Sequence, residues 1–288
     1  MNNSFNGLYR SIVLNLKDLY SGEEARAMAD RVFEHYLGLS PAKRVLAGSR
    51  QVPEDNIPAI QAAVAGLLQQ FPLQYVLGKA YFMDLEFDVN PSVLIPRPET
   101  EELVSLVLKA YAIPGQASGL RILDIGTGSG CIAIALKRNL PGAQVTAIDI
   151  SESALEVAAG NAARNQVAVN FAQADILDPA QWPALPYCDL IVSNPPYVTL
   201  SEMQYMLPNV LDHEPHAALF VPDNEPLVFY RAIMDFAKNK LAETGSLWFE
   251  INEIFGNELR NLAFDQGFST ANIIFDFQGK SRFLQCHK

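Results

Sequence analysis

The segment Asn194-Pro195-Pro196-Tyr197 carries the residue types in this sequence that are best suited to chemistry. Its two prolines fix φ and remove backbone N–H donors, which leaves carbonyl oxygens that only accept hydrogen bonds. A planar –NH2 group complements this loop, because the Asn194 side-chain oxygen and a proline carbonyl can accept its two hydrogens while Tyr197 stacks on its face. We predict that Asn194, Pro195 and Tyr197 are catalytic and that all four residues bind a planar nitrogen. The alternative is a proline-rich turn that only ends a strand.

A glycine-rich turn lies earlier in the chain, in Gly126-Thr127-Gly128-Ser129-Gly130, between an apolar segment and a helical one. Glycines at such a turn let the backbone approach a ligand closely. In the dinucleotide fingerprint the third glycine stands one residue later, where this sequence has a cysteine. The spacing therefore disfavours a pyrophosphate site and a nicotinamide dehydrogenase. We predict that all five residues bind a cofactor.

Acidic residues near this turn indicate which cofactor it is. Asp149 ends the next strand, about 20 residues past the turn, where a carboxylate can bind both ribose hydroxyls. Asp124, just before the turn, adds negative charge that suits a sulfonium or an amino group. Asp175 follows the third strand, where an adenine base would lie, although it could equally cap its own loop. Together these residues predict S-adenosyl-L-methionine.

Methyl transfer from a sulfonium to a nitrogen held by the Asn-Pro-Pro-Tyr segment requires no nucleophilic side chain. In-line displacement depends mainly on positioning, which is worth about 7–11 kcal/mol when the geometry is right. No side chain stands out as a general base, and the proton can leave to water after transfer.

The elements that must position these residues begin with helices. Ser21 and Glu24 have capping-box spacing, and a stripe of apolar residues at helical spacing follows until Gly38. Another helical run covers about residues 58–70. We predict a small helical domain over residues 1–75.

Residues 80–95 are rich in β-formers and are interrupted by the turn-like Asn90-Pro91. We predict a β-hairpin in a linker over residues 76–97, and a helix that begins at Pro98 with acidic residues in its first turn.

From residue 121 onward, short apolar strands alternate with helices, which indicates a mainly parallel sheet covered on both faces, an α/β fold. Strands are predicted at residues 121–125, 144–149, 168–172, 189–193, 246–251, 272–277 and, at the sheet edge, 282–286. Helices are predicted at residues 130–139, 153–164, 227–241 and 256–264.

Composition narrows the functional classes. The net charge of −11 argues against a broad nucleic-acid interface. No stretch approaches the roughly 20 apolar residues that a membrane span requires. The N-terminus has no secretory signal pattern, so we expect a cytoplasmic protein.

The three cysteines and four histidines are too scattered for a disulfide framework or a metal site, so we assign no metal. Cys131 directly follows the glycine turn, where a helix N-terminus could lower its pKa. We favour the alternative, in which Cys131 packs beneath the turn.

Three motifs carry a resemblance to a known family. They are LIPRPETEEL at residues 94–103, DIGTGSG at residues 124–130 and SNPPY at residues 193–197. In these motifs, and over nearly its whole length, the chain resembles the release-factor glutamine methyltransferases of the HemK or PrmC type.

The resemblance implies a class I methyltransferase domain over residues 98–288, with a Rossmann-like, mainly parallel seven-stranded sheet, and an N-terminal helical domain that helps to recognise a protein. It implies methylation of the side-chain amide of the glutamine in the Gly-Gly-Gln loop of peptide-chain release factors.

The resemblance also implies roles for single residues. Asp175, Ile176 and Asn194 join the glycine turn and Asp149 at the cofactor, although relatives often have an aromatic residue where this sequence has Ile176. The run from Arg97 to Glu101 becomes a wall of the substrate site, with Arg97 and Glu101 binding the substrate. Physical reasoning alone would favour an ordinary helix start. The run Arg-Pro-Glu-Thr-Glu distinguishes the release-factor branch from a sister family that modifies a ribosomal-protein glutamine.

Three other functions stay open at this point. An amino-methyltransferase of adenine or cytosine in nucleic acid could use the same loop on a flipped base. A ribosomal-protein glutamine methyltransferase and a non-catalytic module that only binds S-adenosylmethionine are the others. We expect a monomer that has release factors as partners and binds neither nucleic acid nor membrane.

Overall fold

The computed structural model describes residues 3–111 and 118–288. The chain divides into two compact units, of which the first comprises residues up to 79 together with residues 207–213, and the second comprises residues 80–206 and 214–288. The domain boundaries that the sequence suggests at residues 75 and 97 stay predictions. None of the helices within the described ranges is long and apolar enough to span a bilayer.

The first unit is helical, as predicted. Its helices are α1 (Phe5–Leu16), α2 (Gly22–Leu37), α3 (Pro41–Ala47), α4 (Ile57–Leu68) and α5 (Leu73–Leu77). The capping box of α2 is confirmed, since the Ser21 side chain accepts from Glu24 N and the Glu24 side chain accepts from Ser21 N. Gly38 ends α2 in the left-handed conformation. Buried apolar side chains of α1, α2 and α4 form a core of their own.

The predicted hairpin is present, but its turn is not at Asn90-Pro91. Strands β1 (Lys79–Phe82) and β2 (Leu85–Asp88) are joined by Met83 and Asp84, whose φ angles of +50° and +60° make a tight two-residue turn. The prediction was wrong because Asn90 forms a local turn after the hairpin, in which its Oδ1 accepts from Ser92 N.

The second unit continues with helices and strands in alternation. They are α6 (Pro98–Ala110), β3 (Arg121–Ile125), α7 (Cys131–Asn139), β4 (Gln144–Asp149), α8 (Glu152–Arg164), β5 (Asn170–Gln173), β6 (Cys188–Ser193), β7 (Val198–Thr199), β8 (Phe220–Val221), α10 (Val228–Lys240), β9 (Leu241–Glu250), α11 (Gly256–Asp265), β10 (Thr270–Phe275) and β11 (Ser281–His287). The short helix α9 (Pro208–Leu211) lies in the first unit.

Seven of these strands form one sheet in the order β10-β11-β9-β6-β3-β4-β5. The pairs from β9 through β6, β3 and β4 to β5 are parallel, whereas β11 is antiparallel to both of its neighbours. The prediction of a mainly parallel seven-stranded sheet is therefore confirmed.

The last strand was predicted at the sheet edge, and this was wrong. β11 lies between β9 and β10, so that β10 forms the edge. Its apolar residues Phe283, Leu284 and Cys286 are fully buried, and burial on both faces suits an inner strand.

Both faces of the sheet are covered, one by a core that includes α10 and α11 and the other by a core that includes α6 and α7. Because β3, β4, β6 and β9 are parallel, their carboxyl ends meet at one edge. That edge carries Gly126, Asp149, Asn194 and the end of β9 at Glu250.

Candidate functional site

The glycines of the turn after β3 serve two different purposes. Gly126 and Gly128 have φ angles of +74° and +53°, and a Cβ atom at either would meet no heavy atom within 4 Å. They leave open space above the backbone, as a ligand cradle requires. At Gly130, by contrast, a Cβ would lie 3.1 Å from the Cβ of Ala158, so this glycine allows α7 and α8 to pack closely.

Asp124 lies beneath this turn and is fully buried. Its Oδ2 accepts from Thr127 Oγ1 over 2.6 Å and from Ala133 N over 3.2 Å. Its Oδ1 and the buried Ser129 Oγ have no hydrogen-bond partner in the described part of the chain. Burial raises the pKa of the Asp124 carboxyl to about 7, although its two hydrogen bonds act in the opposite direction.

Asp149 is joined to the turn directly. Its Oδ2 accepts from Gly128 N over 2.8 Å, and its Oδ1 accepts from Ser151 N over 3.0 Å. Ser151, not Asp149, caps α8, because its hydroxyl accepts from Ala154 N. The carboxylate thus lies at the end of β4, beside the turn.

Asn161 is a site residue that the sequence did not reveal. It is fully buried on α8, and its Nδ2 donates to Ser129 O over 2.9 Å and to Asp88 O over 3.0 Å. Its Oδ1 accepts from Asp88 N over 2.7 Å. Asn161 therefore ties the glycine turn to β2. The available signal was an amide among the alanines of an otherwise apolar helix face.

The Asn-Pro-Pro-Tyr segment lies beside the glycine turn. Ile125 of β3 pairs with Ser193 of β6, and Ser193 Oγ donates to Ile125 O over 2.7 Å. The next residues in each strand are Gly126 and Asn194. Parallel pairing thus brings the two predicted loops to the same point of the sheet edge.

The side chains of this segment connect to a buried carboxylate. Asn194 Nδ2 donates to Thr100 Oγ1 over 3.1 Å, and Thr100 Oγ1 donates to Glu250 Oε2 over 2.7 Å. The Tyr197 hydroxyl donates to Glu250 Oε1 over 2.9 Å. Thr100 was expected only as part of the run Arg97–Glu101 at the substrate wall, and Glu250 was not expected in the site, because each comes close to Asn194 only in the folded chain.

Burial raises the pKa of the Glu250 carboxyl, while the hydrogen bonds from Thr100 and Tyr197 and the positive charge of Arg282 lower it. Burial also raises the pKa of the Tyr197 hydroxyl well above its ordinary value, and the Glu250 charge adds to this. Tyr197 is therefore a neutral donor across the physiological range.

The predicted wall residues Arg97 and Glu101 have partners within the second unit. Arg97, which precedes α6, donates from Nη2 to Glu214 Oε1 over 2.6 Å. Glu214 is buried. Glu101 Oε1 accepts from Met83 N over 2.6 Å and so holds the hairpin turn. It is Thr100, between these two residues, that reaches Asn194.

Asp175 and Ile176 follow β5, as predicted. Asp175 Oδ1 accepts from Leu177 N over 2.8 Å, so this carboxylate caps its own turn. Ile176 is buried in the core, and its carbonyl oxygen accepts from Trp182 Nε1 over 3.0 Å.

Cys131 packs beneath the turn, as we favoured. It is buried, and burial raises the pKa of its thiol to about 12 despite its position at the start of α7. Among the side chains that the structure describes, no group of three or more His, Cys, Asp and Glu residues is placed to hold a metal ion.

Two family models match the chain. The Methyltransferase small domain model matches residues 105–219, and the PrmC N-terminal domain model matches residues 8–78. A methyltransferase structure from Pyrococcus furiosus has a similar fold, with a TM-score of 0.51 at 20% identity, over 71% of this chain and 89% of that chain.

Two curated relatives align with nearly the whole chain. A release factor glutamine methyltransferase of Flavobacterium psychrophilum is 41% identical over 280 residues, which cover 96% of this chain and 97% of the relative. A release factor glutamine methyltransferase of Bacteroides thetaiotaomicron is 40% identical, over 95% of this chain and 96% of the relative. The chain belongs to the release factor glutamine methyltransferase family.

Proposed function

We propose that this protein transfers a methyl group from S-adenosyl-L-methionine to the side-chain amide nitrogen of the glutamine in the Gly-Gly-Gln motif of peptide-chain release factors. The observation that carries the proposal is the pairing of Ile125 with Ser193, which sets the glycine turn beside Asn194. A methyl donor on the turn would then lie next to an amide on the Asn-Pro-Pro-Tyr segment. The family name of the relatives supplies the substrate.

Features of the glycine turn support S-adenosylmethionine as the donor. Gly126 and Gly128 leave open space for a ligand, and Asp124 Oδ1 and Ser129 Oγ are buried polar atoms without a partner in the described residues. A carboxylate oxygen and a hydroxyl suit a cationic amino group, which would satisfy both. When bound, S-adenosylmethionine supplies an electrophilic methyl carbon on a positively charged sulfur.

The chain's own residues orient the acceptor. Asn194 Oδ1 and the Pro195 carbonyl oxygen accept the two amide hydrogens, and Tyr197 lies against the amide plane with its hydroxyl fixed on Glu250. The nitrogen lone pair would then face the methyl carbon. Formation of the N–C bond would break the S–C bond and leave S-adenosylhomocysteine, and the amide proton would pass to water. Positioning of this kind is worth about 7–11 kcal/mol.

We further propose that Asp149 binds the ribose hydroxyls and that the exposed part of the Arg97 side chain contributes to the wall of the substrate site.

The cytoplasm, where translation terminates, stays the predicted location, and a monomer stays the predicted state. A base amino-methyltransferase is the competing function, and the net charge of −11 counts against it.

One experiment tests the proposal. The protein and an Asn194→Ala variant are incubated with methyl-labelled S-adenosylmethionine and a purified release factor, and the label is located by mass spectrometry. We expect label on the Gly-Gly-Gln glutamine with the wild type and at least a tenfold lower rate with the variant. Label at another residue, label on an oligonucleotide instead, or an undiminished rate in the variant would refute it.

A further inference from the structure

Thr100 and Glu250 are 150 positions apart in the chain and both are almost fully buried, with exposures of 3% and 1%. Thr100 lies in the first turn of α6 and Glu250 is the last residue of β9. The proposed chemistry uses neither of them at the reacting atoms. Their hydrogen bonds nevertheless determine which atom of the Asn194 side chain faces Thr100.

Glu250 is the final acceptor of these hydrogen bonds. Both oxygens of its side chain accept, and the hydroxyls of Thr100 and Tyr197 are the donors. The distances are 2.7 Å from Thr100 Oγ1 to Oε2 and 2.9 Å from the Tyr197 hydroxyl to Oε1. One donor is thus matched to each oxygen.

Thr100 donates to Glu250 and accepts from Asn194. A threonine hydroxyl has one hydrogen, and here Glu250 takes it, so the Thr100 oxygen can only accept from its other neighbour. That neighbour is the Asn194 amide, 3.1 Å away, which must turn its Nδ2 toward Thr100. Its Oδ1 is then presented on the other side, as an acceptor.

We propose that Glu250 and Thr100 are positioning residues that fix the orientation of the Asn194 amide, and thereby make the site select an uncharged amide over a carboxylate. This inference rests on the proposed function. A glutamine –NH2 group donates to Asn194 Oδ1, whereas a glutamate side chain has two acceptor oxygens that oppose it. We call the two hydrogen bonds from Asn194 to Thr100 and from Thr100 to Glu250 the relay. Without the relay, the Asn194 amide could rotate and direct Nδ2 toward a carboxylate.

The test compares two ligands that differ by one group, a release factor with the Gly-Gly-Gln glutamine and the same protein with that glutamine replaced by glutamate. Their dissociation constants are measured by calorimetry in the presence of S-adenosylhomocysteine, so the readout needs no turnover. For the wild type we expect the glutamine form to bind at least about tenfold more tightly.

Two substitutions break the relay while keeping side-chain volume. Thr100→Val removes the hydroxyl, and Glu250→Met removes the acceptor that orients it. We expect the glutamine-to-glutamate ratio to fall toward one in both. Thr100→Ser is the matched control, since it keeps the hydroxyl and should keep the wild-type ratio.

Thermal unfolding shows which variants are folded, and either relay variant suffices if the other does not fold. A folded Thr100→Val or Glu250→Met protein that keeps the wild-type ratio would overturn the inference, and so would a Thr100→Ser protein that loses it. The proposed function fails separately, if the wild type binds the release factor with this preference but places no methyl group on its glutamine.

Discussion

The backbone N–H of Gly128 donates to Asp149 Oδ2 over 2.8 Å, while Asp149 Oδ1 accepts from Ser151 N over 3.0 Å. One carboxylate therefore holds the glycine turn against the end of β4, with each oxygen facing a backbone donor. An asparagine at this position would set its –NH2 group against one of those donors. The two acceptor oxygens, and not only the charge, make this position specific for an aspartate.

We accordingly expect Asp149→Asn to weaken S-adenosylmethionine binding by at least about tenfold, which corresponds to about 1.4 kcal/mol. Isothermal titration calorimetry measures this directly. Asp189→Asn is the matched control, because Asp189 also accepts hydrogen bonds on both oxygens but lies near the start of β6, at the opposite end of the strand from Asn194. Equal affinities of the Asp149→Asn and Asp189→Asn proteins would contradict the assignment.

Asn161 is expected to matter more for stability than an amide on a helix usually does. Asn161→Ala leaves the Ser129 carbonyl oxygen without its side-chain partner in a buried place, and Asp88 N and the Asp88 carbonyl oxygen without theirs in a partly buried one. Since a buried group left unsatisfied costs about 1–3 kcal/mol and a partly buried one costs less, we expect a loss of about 2–3 kcal/mol in the free energy of unfolding. Urea denaturation measures it.

Asn165→Ala provides the comparison for Asn161. Asn165 lies one turn later on the same helix and donates to Glu86 O and Asn161 O, but it does not reach the glycine turn. We expect a smaller loss of stability and unchanged affinity for S-adenosylmethionine. The importance given to Asn161 would be refuted by similar losses in the two variants.

The sequence was informative where short-range patterns decide the structure. Buried parallel strands appear as short apolar runs, and glycine or proline marks their ends, so β3, β6 and the two loops after them were predictable. The Rossmann-like sheet then places Gly126 and Asn194 on the same edge without any further information.

Contacts between distant residues were not predictable. Thr100 reaches Glu250, and Asn161 reaches Asp88, only because helices pack against particular strand ends, and neither contact leaves a local pattern. The hairpin turn at Met83 was missed because its partner residues look like ordinary strand residues, whereas Asn90-Pro91 has the composition of a turn. The place of β11 depended on antiparallel pairing, which hydrophobicity alone does not specify.

The raised pKa of Asp124 makes stability and ligand affinity depend on pH in opposite directions: as pH rises, stability falls and affinity increases. Its pKa is about 7 in the folded protein, against an ordinary 3.8, so between these values the folded chain holds a proton that the unfolded chain has lost. The free energy of unfolding therefore falls as pH rises from about 4 to about 7, and it levels off above. Binding of a cationic ligand needs the ionised form and strengthens over the upper part of this range.

We expect Asp124→Asn to reduce the fall in stability and to abolish the rise in affinity, measured as urea stability without ligand and as S-adenosylmethionine affinity at about pH 6 and about pH 8. Part of the fall in stability remains, because burial also raises the pKa of Glu250. Asp189→Asn is the control. The hydrogen bond from Arg121 lowers the pKa of Asp189 below 3.8. Removing the Asp189 carboxylate therefore leaves the pH dependence of stability and affinity between about pH 4 and pH 8 unchanged. An undiminished fall in stability, or a persistent rise in affinity, in Asp124→Asn would contradict the assignment of this pH dependence to Asp124.

The last prediction separates two roles of Arg97. Its guanidinium pairs with Glu214 over 2.6 Å, and the exposed fractions of the two side chains are 33% and 1%. Arg97→Ala leaves a buried carboxylate unpaired, which costs about 3–5 kcal/mol for a fully buried pair, and the partial exposure of Arg97 favours the lower end. Arg121→Ala, which breaks the more exposed pair with Asp189, should cost only about 0–1 kcal/mol.

Adding Glu214→Gln to Arg97→Ala removes the unpaired charge, so we expect the double variant to regain most of the lost stability. If Arg97 also contacts the release factor, the double variant will still show a raised KM for that protein, with kcat nearly unchanged. A wild-type KM in the stable double variant would restrict Arg97 to its structural pairing with Glu214. Steady-state methylation assays on both variants, together with urea denaturation, therefore distinguish a substrate-binding arginine from one that only neutralises Glu214.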